Sequence, residues 1–352
     1  MSSPIASVRL SVLDRSRIRE GHDGPSALRG TVRLAQEVEA FGYHRFWVSE
    51  HHGVPGVAGS APTVLAAAVA AATSTIRVGT GGVMLPNHQP LVVAEQFGVL
   101  ESLYPGRVDM GLGRSVGFTD GVRRALGRDR KDADGFAEQL DELLGYFDGS
   151  GGRPSDGSGT GGQRPGPQVH ARPAEGLRVP PYVLATGEGA SIAARAGLPL
   201  VIGDMRHRER MLSAVDLYRS GFRPSRWAQQ PYVIVSGTVV VARTEQEARR
   251  LLGPEAWSAA YSRTHGSFPP LAAPERIESM TMTARERSHY EAGLEGHIAG
   301  TGAQVADALS AVIRDSAADE VLVTTSTYDR EALLDSFRRL ARVAGLSSPA
   351  RA

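Results

Sequence analysis

The chain of 352 residues carries 39 Lys and Arg against 38 Asp and Glu, a formal net charge of +1, so no global field selects nucleic acid or an anionic membrane as partner. It has no cysteine, which excludes disulfides, thiolate zinc sites and cysteine nucleophiles. No stretch approaches the ~20 apolar residues of a spanning helix and residues 1–13 lack the regions of a secretory leader, so a cytoplasmic chain acting on small molecules or proteins is expected.

Residues 8–13 are short, apolar and followed by Asp14-Arg15-Ser16, the pattern of a strand ending in a loop. Residues 26–41 then place Leu28, Val32, Ala35, Val38 and Phe41 at helical spacing, and Gly42 ends the run. The alternation recurs as strand 45–49, helix 61–72, strand 76–81, helix 91–103, strand 107–112 and helix 134–147. A stretch dense in Gly, Ser and Pro, 149–167, reads as a flexible surface insertion. Strand 182–185, helix 189–196, strand 200–202, helix 206–218, a long β-branched strand 232–241 and helix 245–252 follow. Strand 320–324 and helix 330–344 close the series.

Eight strands alternating with helices predict a (β/α)8 TIM barrel with insertions, in one domain over 1–352. The rhythm fails over 254–301, which carries Trp257, Tyr261, Phe268, Met280, Met282 and Tyr290. That segment is expected either as a lid over the barrel mouth or as extra helices packed outside.

In such barrels the reactive groups sit just beyond the carboxyl ends of the strands. Strand two runs into Ser49-Glu50-His51-His52, where a histidine can hold or move protons near neutral pH; the alternative is that one of the pair packs against a neighbouring strand. Adjacent strand residues point to opposite faces, so His51 and His52 are not expected to share a metal, and no metal site is expected. Arg114 follows strand four between glycines, where a guanidinium can hold a phosphate or carboxylate. Ala185-Thr186-Gly187-Glu188-Gly189-Ala190-Ser191 lies between strand five and a helix start, a natural anion site. Together these two elements point to one bound phosphate.

Gly113-Arg114-Ser115-Val116-Gly117 also matches the nucleophile elbow of serine hydrolases, with Ser115 as nucleophile. The elbow needs a helix at once, whereas 116–121 has no helical period and no His-Gly-Gly segment precedes it. Gly300-Thr301-Gly302 begins a helix but lacks a third glycine and a clear preceding strand, so no dinucleotide fingerprint is read there.

The blocks Phe46-Trp47-Val48-Ser49-Glu50-His51-His52, Arg77-Val78-Gly79-Thr80-Gly81-Gly82-Val83-Met84-Leu85-Pro86 and Pro105-Gly106-Arg107-Val108-Asp109-Met110-Gly111-Leu112-Gly113-Arg114, with the later Ala193-Ala194-Arg195-Ala196-Gly197-Leu198-Pro199, resemble the luciferase-like flavin monooxygenases over most of the chain. Leu10-Ser11-Val12-Leu13-Asp14 is similar to the single-subunit branch, which includes tailoring oxygenases of aromatic polyketide pathways such as mensacarcin biosynthesis. The resemblance implies a monooxygenase using reduced FMN and O2 on a small organic substrate. A separate NAD(P)H flavin reductase would supply the flavin, and no integral nicotinamide site is evident.

By resemblance His51 is catalytic, assisting a C4a-peroxyflavin. Arg114 binds the FMN phosphate, and Leu184, Thr186, Gly187, Glu188 and Ser191 supply the remaining cofactor contacts, in a turn one residue shorter and richer in glycine than luciferase has. Gly81-Gly82 corresponds to the family's non-proline cis peptide under the flavin ring, where glycine eases close approach, and Gly113 replaces a cysteine. A homodimer through the helices after strands two and three is implied, with the small residues of 65–72 as contact surface. The same resemblance leaves an F420-dependent oxidoreductase, or a catalytically silent flavin-binding partner, as alternatives.

Overall fold

Runs of β-branched and aromatic residues make short strands buried on both faces, and each amphipathic stretch between them returns the chain to the same end of the sheet. The computed structural model describes residues 4–149, 169–203 and 205–347; of the expected insertion over 149–167, only Gly149 falls among them. The strands are β1 (Arg9–Asp14), β2 (Arg45–Val48), β3 (Arg77–Thr80), β4 (Val108–Gly113), β5 (Pro181–Ala185), β6 (Leu200–Ile202), β7 (Val233–Gly237) and β8 (Glu320–Val323). All pair in parallel, in the order β3-β2-β1-β8-β7-β6-β5-β4, and Val78 opposite Val108 joins β3 to β4, closing the barrel.

The helices are α1 (Gly24–Ala40), α2 (Pro62–Ala72), α3 (Pro90–Leu103), α4 (Asp120–Ala125), α5 (Phe136–Phe147), α6 (Gly189–Ala196), α7 (Arg208–Gly221), α8 (Glu245–His265), α9 (Pro274–Ser279), α10 (Ala284–Leu294), α11 (Gly302–Ser316) and α12 (Arg330–Ala344). Their apolar faces pack on the outward strand residues, Phe46 and Val48 among them, in the main core.

The barrel interior is layered. At the amino end of the strands Arg45 is buried and bound through Nε and Nη2 to Glu320, at 2.8 and 2.9 Å, and through Nη1 to Asp109 at 2.8 Å. Ser11, Trp47, Arg77 and Tyr232 donate to the same two carboxylates. Above this polar floor lies an apolar layer of Leu13, Trp47, Val201, Ile234 and Leu322. The open carboxyl end is therefore the face left for chemistry.

Three expectations are corrected. The strand read over 232–241 divides at Thr238: β7 stays in the barrel, while Val239–Val241 leaves it and pairs with Ile298–Gly300. That second strand precedes α11, so Gly300-Thr301-Gly302 does have a strand before it, in a ribbon outside the barrel. The helix read over 245–252 continues through Pro254 to His265, because Leu252, Ala256, Trp257 and Ala260 bury on its inner side and outweigh the ~3 kcal/mol cost of proline. Residues 254–301 are thus mainly helical, and they dock on the barrel mouth: Leu271 pairs with Ile18 and Glu20, and the Gly56 amide donates to Phe268.

Replacing Arg45 by Met should destabilise the fold by about 3–5 kcal/mol, because Glu320 then keeps a buried charge without its cationic partner and Asp109 retains only Arg77. Urea unfolding checks this; a loss below ~1 kcal/mol, the scale of a surface pair, would contradict the ascribed role.

Candidate active site

The short strand β2 hands its charged tail directly to the barrel mouth. Glu50 is 2% exposed, and its carboxylate accepts four sets of donors: the Met84 amide at 3.0 Å, Asn87 Nδ2 at 3.0 Å, His52 Nε2 at 2.8 Å and His88 Nε2 at 2.9 Å. Burial pushes this carboxyl up, but the donors of His52, His88 and Asn87 outweigh it and hold it at about 2. The carboxylate therefore fastens the end of β2 to the segment after β3. Among the described residues Glu50, His52 and His88 also form a group whose ligand-type atoms lie within 4.8 Å of one another. Weighing the adjacent His51 and His52 as ligands missed His88, which stands 38 positions beyond Glu50.

His51 points away from this junction. Its Nδ1 lies 3.1 Å from Ser49 Oγ, and its ring stacks on Phe118 with centroids 6.1 Å apart. Burial, reinforced by the charges of Arg15 and Arg17, lowers the imidazole to about 4, so at neutral pH it is an uncharged ring with one donor and one acceptor nitrogen.

The Gly81–Gly82 peptide is cis. A Cβ on Gly81 would stand 2.7 Å from Leu13 Cδ1, and one on Gly82 2.8 Å from the Gly111 carbonyl oxygen. The barrel wall itself thus requires glycine at both positions. The chain continues as Val83–Met84, paired with the end of β4.

Met84 leads into a groove of about 580 Å³ shared with Gly113, Arg114, Leu184, Thr186 and Glu188, a size suited to a small-molecule ligand. Arg114 is half-buried and takes no hydrogen bond or ion pair among the described residues. The position a Gly189 Cβ would occupy is 3.8 Å from Arg114 Cδ, so the guanidinium stem lies against the start of α6. Gly187, at φ +62°, makes the left-handed turn into that helix. It lines an adjoining pocket of about 270 Å³ with Thr186, Gly203 and Arg210. Ser191, in the first turn of α6, and His51, just after β2, both stand outside the groove lining.

Ser115 lines the groove, but no helix begins until Asp120, and its hydroxyl has no histidine partner among the described residues. The hydrolase elbow is not formed. The mouth also holds residues that the sequence reading passed over: Arg15 pairs with Glu255 at 3.1 Å, and Arg17 Nη2 donates to Ser258 at 2.6 Å. Their position just after β1, by the same strand-end rule that singled out His51, was the available signal.

Residues 8–343 match the family described as Luciferase-like monooxygenase. The chain belongs to the luciferase-like monooxygenase family. It is 36% identical over 339 residues to the uncharacterized protein YvbT of Bacillus subtilis, covering 95% of this chain and 96% of that one. The structure of apo-MsnO8 is similar at a TM-score of 0.80 and 29% identity, covering 97% and 99% of the two chains. The fold alone is shared with the oxygenating constituent of 3,6-diketocamphane monooxygenase from Pseudomonas putida in complex with FMN, at a TM-score of 0.72, 16% identity and coverage of 98% and 100%. It is shared also with an F420-dependent secondary alcohol dehydrogenase, at 0.65, 15%, 96% and 99%.

In this luciferase-like monooxygenase Glu50→Gln should cost about 3 kcal/mol at pH 7, the linkage value of a carboxyl held near 2 instead of 4.5. Because the folded carboxyl is depressed, that stabilisation is fully present above pH 4.5 and is lost as pH falls toward 2. Urea unfolding at neutral and acid pH should therefore show the gap between the wild type and the variant closing on acidification; a constant gap would overturn the assignment.

Proposed function

We propose that this enzyme binds reduced FMN, delivered by a separate NAD(P)H-dependent flavin reductase, and uses it with O2 to hydroxylate or epoxidise a small organic substrate. The observation that carries the reading is the convergence in one groove of Arg114, a guanidinium without a polar partner among the described residues, with Thr186 and Glu188 of the turn that opens α6. A dianionic phosphate suits both, since a helix start offers free amides and Arg114 a planar fork of donors. Leu184 and Met84 give the groove its apolar wall. Bound in reduced form, the flavin supplies the two electrons with which one oxygen atom enters the substrate and the other leaves as water.

The protein's own contribution is position, proton control and dryness. Arg114 and the α6 turn would hold the phosphate end, and the Gly81–Gly82 peptide, just before Met84 of the groove wall, would lie beside the ring. The uncharged His51 accepts or returns a proton through its ring nitrogen that Ser49 leaves free. Helix α8, tied to the mouth through Glu255 and Ser258, shields the side on which His51 lies from bulk water. A second reading, F420 in place of FMN, draws on the continuation of the groove past Gly187 into the pocket that Arg210 lines, room for a tail longer than a phosphate. Titration with both cofactors separates the two.

The homodimer belongs to the same proposal. Val64 on α2 and Val92, Val99 and Leu103 on α3 are exposed, a cluster of apolar side chains on the neighbouring helices that the resemblance singles out. Light scattering should give twice the chain mass, and a monomer at micromolar concentration would remove this part.

Arg114→Ala should weaken FMN on the order of tenfold or more and leave riboflavin unchanged, as expected for one lost charge-assisted contact. Equal weakening of both would remove the phosphate assignment. His51→Ala should bind FMN normally and lose product formation by about a hundredfold. The neutral ring is the form that takes a proton, so activity should fall as pH drops through about 4; an acid limb near 6.5 would contradict the dry setting of His51.

A further inference from the structure

Helix α1 has a glycine in its interior, Gly30, at a cost of ~1 kcal/mol relative to alanine. A Cβ there would collide with Arg330 Nη1, so the space of the missing side chain is taken by a guanidinium reaching across from α12. Arg330 thereby enters a cavity of about 180 Å³ between the two helices, on the outer side of the carboxyl end of β1. Arg17 and Arg19, 5% and 7% exposed, line the same cavity.

None of the three guanidinium groups meets a carboxylate within 4.0 Å among the described residues. Arg17 donates to Ser258 Oγ and the Pro269 carbonyl, Arg19 to the carbonyls of Tyr328 and Arg17, and Arg330 to that of Ser26. Arg17 Nε is buried without any partner. The one buried carboxylate of the wall, Asp14, is already engaged, accepting from the Ser16 amide at 3.2 Å and from Thr31 Oγ1 at 2.5 Å. Glu37 and Glu331 lie exposed at the rim. Burial first, and then the neighbouring charge of Arg330, lowers Arg19 to about 10, outweighing the opposite pull of Asp14 and Asp329. Buried cations left in this state cost several kcal/mol, and a bound counter-ion relieves that cost.

We infer that the cavity between α1 and α12 is a binding site for a small anion, a carboxylate or phosphate, held by Arg17, Arg19 and Arg330 and separate from the groove at Arg114. Ala27, Leu34 and Leu333 in its walls accommodate a short hydrocarbon portion as well.

Calorimetry on the full chain tests this, with butyrate and inorganic phosphate as probes and 1-butanol as the neutral control. The measurements are made in the Arg114→Ala background, so that the groove cannot supply the signal. At least one anion should bind at a stoichiometry of one and butanol should not; butyrate alone binding identifies a carboxylate site, phosphate alone a phosphate site. Arg19→Met and Arg330→Met should each weaken that anion on the order of tenfold or more. Gly30→Ala improves helix propensity while pushing the Arg330 guanidinium aside, so it should weaken the anion too with an unchanged circular dichroism spectrum, whether or not the arginine variants fold. The inference is overturned if neither anion binds below ~10 mM, a weak affinity near 3 kcal/mol, or if binding survives Gly30→Ala and the arginine variants undiminished. In the otherwise native chain, FMN affinity should be unaltered by Gly30→Ala, so failure here leaves the flavin reading standing, and failure of the flavin reading leaves this site untouched.

Discussion

The mouth of the barrel depends on where the Glu50 carboxylate goes. Neighbouring residues at a strand end point to opposite sides, so sending the carboxylate toward the segment after β3 turns the His51 ring the other way. Burying a carboxylate costs several kcal/mol. Four charge-assisted contacts at about 1.5–3 kcal/mol each exceed that cost, and their donors come from the loop after β2 and from the 84–88 segment. Because Met84 is both a donor to Glu50 and part of the groove wall, one buried charge sets the relation between the histidine and the groove.

The barrel's two ends treat the guanidinium group in opposite ways. At the floor Arg45 faces two carboxylates that are themselves fully hydrogen-bonded, and nothing there asks for a ligand. Among the described residues Arg114, near the mouth, has no polar partner, and Arg17, Arg19 and Arg330 meet only neutral oxygens. The same side chain is thus matched by carboxylates at the amino end and met by neutral oxygens near the carboxyl end, the end at which barrel folds carry their reactive groups.

Much of this was legible in the sequence, because the decisive signals are local. The βα rhythm located all eight strands, and the strand-end rule pointed to His51, Arg114 and the 185–191 turn as candidates, each within a few residues of a strand. What escaped was what depends on partners distant in the chain. His88 joins Glu50 only through the fold, and Arg15 and Arg17 acquire their meaning from Glu255 and Ser258, on a helix some 240 positions away. Pro254 stopped the helical reading of α8 at residue 252, although tertiary packing carries the helix past it. The β-branched run over 232–241 concealed the break at Thr238, since both halves are buried in different sheets and each favours the same residue types.

Helix α8 and His51 are coupled through two side chains. Arg15 ties β1 to α8 through Glu255, and Arg17 does so through Ser258; the same two charges bear on His51. Yet burial ranks ahead of both as the cause of the depressed imidazole, with Glu50 and Glu255 acting in the opposite sense. The arginines' first service to His51 is therefore to anchor the cover over the mouth, with their direct repulsion of a second positive charge adding to the effect of burial.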